Sequence, residues 1–158
     1  MKNTFKRSGA ALISLALLLV LAVSAGAASS QNVGVKFWKE RSDKESMANS
    51  GIDPDRTATL TRQANGTYTL TLPVMQVSKL GVTGYLSGLT IGDVIYDGTL
   101  TGDFNKATAV LTIKNLPASV LTGSDVNKSV LVTCNIQMDL QVLGEINTSA
   151  RMCIWNQK

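Results

Sequence analysis

The chain has no histidine in its 158 residues. Histidine is the usual general base near neutral pH, a common zinc ligand and the central residue of Ser-His-Asp catalysis. A glycine-rich phosphate loop is also missing, because Gly81, Gly84, Gly88 and Gly92 are spread through strand and turn sequence. These absences make an enzyme the least favoured class of function, and we expect a non-enzymatic binding protein without a bound metal ion of its own.

Aromatic residues make up only 5% of the chain, and its basic residues are scattered. Three of the 15 basic residues, Lys2, Lys6 and Arg7, lie at the extreme N-terminus. The remainder carries 15 − 3 = 12 basic against 11 acidic residues, a net charge of +1. A nucleic-acid-binding face needs a dense basic patch, so nucleic acid is not an expected partner.

Residues 1–27 have the three-part organisation of a signal peptide. A basic start precedes an apolar run from Ala10 to Val23, and Ala25 and Ala27 supply the small residues of a cleavage site. The run is shorter than the roughly 20 residues that a transmembrane helix needs, and we expect no membrane span in the mature chain. Removal on export would leave 158 − 27 = 131 residues, 28–158, which is enough for a single domain.

Beyond residue 27, apolar residues recur with a period of two, which is typical of β-strands. The clearest strand is Val130–Leu140, whose even-numbered residues form an apolar face that we expect to face the core. Turn signals such as Asn65-Gly66 separate the strands, and Ser87-Gly88 and Asp97-Gly98 are also interpreted as turns. The predicted strands are 33–38, 57–62, 68–75, 79–86, 89–95, 107–114, 129–140 and 148–155. This pattern predicts an all-β fold, an immunoglobulin-like antiparallel β-sandwich.

The polar segment Glu40–Gly51 interrupts the β pattern. Ser42 and Glu45 have the spacing of a capping box, which predicts one short helical turn near residues 42–48. Two interpretations are open: a solvated connection between strands, or a short helix that forms the lip of a pocket.

The two cysteines, Cys134 and Cys153, both lie in the part expected to be exported. An oxidising compartment favours a disulfide between them. A final hairpin centred near Leu143 and Gly144 would place them opposite each other, whereas a slip of one residue would put them on opposite faces. The alternative is two separate buried thiols.

Three segments resemble the NEAT (near-iron transporter) domains of Gram-positive bacteria, and in particular the variants found in surface proteins of gut Firmicutes. They are residues 37–49, with Phe37-Trp38-Lys39 and Ser46-Met47-Ala48-Asn49; residues 65–70, with Asn65-Gly66-Thr67-Tyr68; and residues 82–86, with Gly84-Tyr85. The resemblance extends over about Val33 to Trp155. It implies one NEAT-like domain over residues 28–158, in a secreted or cell-surface protein that binds haem for iron scavenging or relay.

The resemblance also implies where haem would lie, between a short 3₁₀ helix and the final hairpin. Ser46 and Met47 would then form the lip of the haem pocket. A polarizable methionine suits a flat apolar macrocycle, and a serine hydroxyl can hydrogen-bond a propionate.

Haem-binding NEAT domains hold iron through the first tyrosine of a Tyr-x-x-x-Tyr motif on the last hairpin, and this chain lacks that motif. Met152, Met138 and Tyr85 are therefore the candidate axial or pocket residues. Met152 is the first candidate for the iron ligand, with a core methionine as its alternative interpretation. The alternative function is a NEAT-like sandwich without iron ligation, acting as an adhesive module that binds a cell-surface protein or glycan.

Overall fold

The computed structural model describes residues 28–79, 81–139 and 144–157, so the predicted signal peptide, residues 1–27, lies outside the described residues. The described chain contains nine strands and four short 3₁₀ helices. The strands are β1 (Ser29–Lys39), β2 (Ala58–Arg62), β3 (Tyr68–Pro73), β4 (Val77–Lys79), β5 (Val82–Ile91), β6 (Val94–Thr101), β7 (Val110–Leu116), β8 (Val130–Met138) and β9 (Glu145–Asn156); the 3₁₀ helices are Met47–Gly51, Phe104–Lys106, Ala118–Val120 and Val126–Lys128. No helix in these ranges is long and apolar enough to span a membrane.

The strands pair in the order β4-β5-β6-β7-β3-β2-β1-β9-β8, and an additional pairing of β5 with β8 closes the sheet on itself. Each of these strand pairings is antiparallel, which confirms the predicted all-β, immunoglobulin-like sandwich. Alternation on β2 and β3 buries Leu60 and Leu70 completely. Their neighbours Thr59 and Thr71 pair on the outer face, where β-branched side chains suit a pleated, half-exposed surface.

The region around Ser87-Gly88 differs from the prediction. The sequence predicts a turn between two strands, but these residues lie inside the single strand β5, where the register against β8 shifts between Leu86 and Gly88. A Cβ on Gly88 would lie 2.7 Å from the carbonyl oxygen of Tyr96. The glycine therefore marks a close approach of two backbones at a bulge, and the chain turns at Gly92 instead, with φ of +60°.

Asp97-Gly98 is likewise no turn, because both residues lie inside β6. A Cβ on Gly98 would overlap the side chain of Leu111 on the neighbouring strand β7. Glycine is therefore required here by packing across the sheet rather than by backbone conformation.

The predicted helical turn near residues 42–48 is present, a few residues further along, as the 3₁₀ helix Met47–Gly51. Its cap is Ser46, whose hydroxyl accepts a hydrogen bond from the Ala48 amide at 3.3 Å. The predicted capping box of Ser42 and Glu45 is wrong, because Glu45 forms an ion pair with Lys36 at 2.5 Å. Ser42 instead offers its carbonyl oxygen to an arginine of β9.

The predicted disulfide is also wrong: Cys134 and Cys153 are both buried free thiols. The register of β8 against β9 places Cys134 opposite Thr148, and Cys153 lies opposite Lys36 of β1. The two cysteines are offset by an odd number of positions along the ladder, so they point to opposite faces. The thiol of Cys153 lies 3.6 Å from the carbonyl oxygen of Asp125, to which it donates. Of the predicted hairpin centre, Leu143 and the strand end Leu140 lie outside the described residues.

Candidate functional site

An open cavity of about 310 Å³ lies between the 3₁₀ helix Met47–Gly51 and the neighbouring ends of β4, β5, β8 and β9. Its size falls at the lower end of the range for small-molecule sites. The residues that line it are Met47, Ala48, Gly51, Val77, Val82, Gly84, Tyr85, Leu86, Ile136, Met138, Ile146 and Thr148. Tyr85 and Thr148 are the polar members of this wall, and it includes no charged residue among those that the structure describes. The cavity is therefore suited to an apolar ligand.

The helix that forms one side of the cavity is fixed to β1 by the side chain of Asn49. Its Oδ1 accepts from the Phe37 amide at 2.8 Å, and its Nδ2 donates to the Phe37 carbonyl at 2.7 Å. The same Nδ2 also donates to the Ser46 carbonyl at 3.1 Å. At the far end of the helix, the Met75 amide donates to the Gly51 carbonyl at 3.0 Å. These bonds fix the position of the helix relative to the strands that form the rest of the cavity wall.

Met47 and Ser46 are neighbours in the chain but have different environments. Met47 lines the cavity and leaves 59% of its surface exposed, which places a flexible thioether at the cavity mouth. Ser46 is buried and uses its hydroxyl as the helix cap. Of the two predicted lip residues, the structure brings Met47 to the cavity and gives Ser46 a position at the start of the helix.

The opposite wall is formed by facing residues of β5, β8 and β9. Gly84 pairs with Met138, and Ile136 pairs with Ile146. A Cβ on Gly84 would lie 2.7 Å from the sulfur of Met138, so glycine at this position leaves the space that the thioether occupies. The even-numbered face of β8, predicted to face the core, does so at Cys134 and opens into the cavity at Ile136 and Met138.

Two other predicted site residues have less direct access to the cavity. Tyr85 contributes to the wall, but alternation along β5 directs its side chain away from the side on which Gly84 lies. Its ring packs on Phe104, with ring centroids 5.2 Å apart. Met152 is fully buried in the core, where it pairs with Phe37 and Val130, and it is not part of the cavity wall. The structure thus brings together Met47, Met138 and part of Tyr85.

The described side chains that line the cavity are neutral. Two ion pairs lie outside the wall: Lys36 with Glu45 and Arg151 with Asp43 join the segment that precedes the helix to β1 and β9. Burial raises the pKa of the Cys134 thiol to about 12, so this thiol stays protonated. In the described ranges, no group of three or more His, Cys, Asp or Glu residues could hold a metal ion. The arrangement offers an apolar surface with soft sulfur donors rather than acid-base chemistry.

Solved structures that share this fold include two of one bacterial domain. One is the NEAT5 domain of IsdX2, a B. anthracis hemophore in complex with haem, and the other is a point mutant of the same IsdX2-NEAT5 domain, also in complex with haem. Each has 10% sequence identity and a TM-score of 0.53, and the alignment covers 83% of this chain and 98% of that chain. The fold is NEAT-like. No protein-family model and no curated protein sequence matches the chain.

Most of the cavity wall of this NEAT-like fold is not singled out by the sequence patterns. Ile146 and Thr148 lie at the start of β9, which begins three residues before the predicted strand does. Val77 belongs to the short strand β4, for which three residues give no usable periodicity. The alternation of β8 does contain the signal for Ile136 and Met138, because a face that is apolar along a whole strand can line a core or a ligand cavity.

Proposed function

We propose that this chain is a secreted, non-enzymatic binding protein that holds haem in the cavity beneath the Met47–Gly51 helix. Its role would be iron acquisition, by scavenging haem or relaying it from a haem-bearing protein at the cell surface. Residues 1–27 would serve as the signal peptide and residues 28–158 as one NEAT-like domain. The observation that supports this most directly is an apolar cavity between the 3₁₀ helix and the last two strands, the place that the NEAT resemblance assigns to haem.

The residues present fit the apolar part of a macrocycle. The described wall includes no charged side chain, and Ile136, Ile146 and Val82 offer aliphatic surface from three strands. An open cavity can cover such a ring while its carboxylates stay in water, and Met47 would pack on the ring from the helix. Bound haem would supply the iron chemistry; the chain's own contribution is to desolvate the ring, orient it and limit access of water.

The test is a titration of the chain lacking residues 1–27 with haemin, followed by its Soret band. We expect a shifted, saturable band, which Met47→Ala and Ile146→Asp each weaken. Ile146→Asp puts a charge into the cavity wall, whereas the matched control Met75→Ala removes an exposed methionine outside it. A spectrum identical to that of free haemin at all protein concentrations would reject haem binding.

The alternative function is an adhesive module that binds a protein or a glycan without iron. One observation favours it: β9 contributes Ile146 and Thr148 to the wall, and neither residue is a strong iron ligand. The two functions differ in the haemin titration, because an adhesive module would leave the haemin spectrum unchanged and would still bind cell-wall material in a pull-down.

A further inference from the structure

The side chains that could reach an iron atom in this cavity are unusually restricted in chemical type. Histidine is absent from the whole sequence. Tyr68 and Tyr96 pack against the core from β3 and β6, away from the cavity wall, and the ring of Tyr85 lies against Phe104. Imidazole, one common protein ligand of haem iron, is therefore absent from this cavity. A phenol is present in the described wall only through Tyr85, whose ring packs on Phe104 and lies on the side of β5 away from Gly84.

Cysteine thiolate is excluded by position. Cys134 is completely buried in the core, and burial raises its pKa to about 12. Cys153 points to the other face of the sheet, where its sulfur donates to the Asp125 carbonyl. Among the described cavity-lining side chains, the sulfur donors are the thioethers of Met47 and Met138, one from the helix and one from β8.

We infer that Met138 and Met47 are the iron-binding residues of this pocket and that the protein holds ferrous haem more tightly than ferric haem. This inference rests on the proposed function. A thioether is a neutral, soft donor, whereas the ferric ion is the harder state and gains more from an anionic oxygen ligand. Methionine ligation raises the reduction potential of haem in proteins, and a higher potential for the bound form means tighter binding of the reduced form.

The preference for ferrous haem and the reduction potential of bound haem are linked thermodynamically. If reduction tightens binding by some factor, binding shifts the reduction potential of haem by the same coupling free energy. A tenfold preference for ferrous haem corresponds to a positive shift of about 59 mV for this one-electron couple. The reduced form of haem would accordingly be held more tightly than the oxidised form.

Gly84 supports the assignment of Met138. Without a Cβ, Gly84 leaves room for the Met138 sulfur, which would otherwise lie 2.7 Å from it. The thioether is therefore accommodated at the wall rather than displaced into solvent. Met47 approaches from the other side of the cavity mouth, on the helix that Asn49 fixes to β1.

The experiment compares haem binding under air with binding under anaerobic dithionite, which supplies the electron that converts ferric to ferrous iron. We expect the Kd of the ferrous form to be at least about tenfold lower, with a potentiometric titration showing the matching positive shift. Met138→Leu and Met47→Leu should each reduce this preference toward one, since leucine keeps the size and loses the sulfur. Met75→Leu is the control and should leave the ratio unchanged.

Iron-free protoporphyrin IX separates the inference from the proposed function. If the porphyrin binds and ferric haem binds as tightly as ferrous haem, or if neither leucine variant changes the ratio, the thioether assignment is overturned while the pocket function stands. If neither porphyrin nor haem binds to the folded protein, the proposed function fails together with the inference. Circular dichroism of each variant establishes that the fold is retained.

Discussion

Asn49 and Phe37 are joined by a pair of hydrogen bonds that resembles the pairing of two strands. The Asn49 side chain accepts from the Phe37 amide at 2.8 Å and donates to its carbonyl at 2.7 Å. Pairing of β1 with β2 ends at Val33, so this edge of β1 has no strand partner at Phe37 among the described strands. An amide side chain carries both a donor and an acceptor and can satisfy both backbone groups. The helix over the cavity is thereby tied to a residue whose side chain is fully buried.

We expect Asn49→Asp to retain the hydrogen bond to the Phe37 amide and to lose the one to the Phe37 carbonyl. Aspartate keeps an acceptor for the Phe37 amide but loses the donor to the Phe37 carbonyl. The Phe37 carbonyl keeps the Ser46 amide as a donor at 3.0 Å, but the new carboxylate oxygen would face the Phe37 and Ser46 carbonyl oxygens to which the Asn49 Nδ2 donates. Loss of these two hydrogen bonds costs roughly 1–3 kcal/mol in total, which should lower both the free energy of unfolding in urea and the affinity for the cavity ligand. Asn105→Ala, on an exposed 3₁₀ helix, is the control and should change neither. Wild-type affinity in a stably folded Asn49→Asp protein would show that the helix needs no such anchor.

Gly84→Ala should narrow the cavity without unfolding the protein. The new Cβ would lie 2.7 Å from the Met138 sulfur and 3.0 Å from the Gln137 carbonyl oxygen, so Met138 must move away from β5. We expect affinity for an apolar cavity ligand to fall several-fold, with a loss of stability of about 1–3 kcal/mol from overpacking. Val94→Ala, at an exposed residue outside the cavity wall, is the control and should leave this affinity unchanged. Equal affinities of the two variants, measured by ligand fluorescence, would contradict this account of Gly84.

The class of fold could be predicted from the sequence because strand periodicity and turn residues act locally. Ser87-Gly88 shows the limit of that logic. Glycine permits a turn and also permits a close backbone approach, and only the pairing of β5 with β6 and β8 distinguishes the two. Ser42 and Ser46 pose the same problem for the helix, since either can cap it. The side-chain bonds from Asn49 to Phe37, twelve residues away, decide in favour of the later start.

The site was predictable only in part for a related reason. The Ser-Met-Ala-Asn segment indicated Met47, and the alternation of β8 indicated Met138 as an inward-facing residue. Met152 has the same apolar character, but its register places it opposite Phe37 in the core. An inward-facing side chain contacts the core where opposite strands of the sandwich pack together, and it lines the cavity where those strands separate. The position along the strand at which they separate is not specified by any local sequence pattern.

Acid should remove the contribution of Asp53 to stability. The Arg56 guanidinium donates to one oxygen of this carboxylate at 2.8 Å and the Asp55 amide to the other at 3.0 Å, and together they hold the pKa of Asp53 below its ordinary value of 3.8. A carboxylate with a depressed pKa stabilises the fold above its unfolded-state pKa, and that stabilisation is lost as the pH falls through the folded-state value. The stability difference between wild type and Asp53→Asn should therefore be constant near neutral pH and shrink below about pH 3.8. Urea unfolding across the acid range measures it, with Asp93→Asn in an exposed turn as the control; a difference that stays constant into strong acid would contradict the assignment.

The thiols offer a direct check of the strand register. If Cys134 and Cys153 point to opposite faces, the purified protein carries two free thiols. A thiol reagent should then modify both in denaturant without any reductant. In the folded state we expect slow labelling, because both side chains are buried and burial raises the pKa of Cys134 to about 12, which leaves little thiolate near neutral pH.

Adding a reductant should leave the free energy of unfolding unchanged, and the single variants Cys134→Ala and Cys153→Ala should each retain one reactive thiol on unfolding. If no thiol reacts in denaturant until a reductant is added, the two cysteines are bridged and the register of β8 against β9 must differ from the one that places Cys134 opposite Thr148.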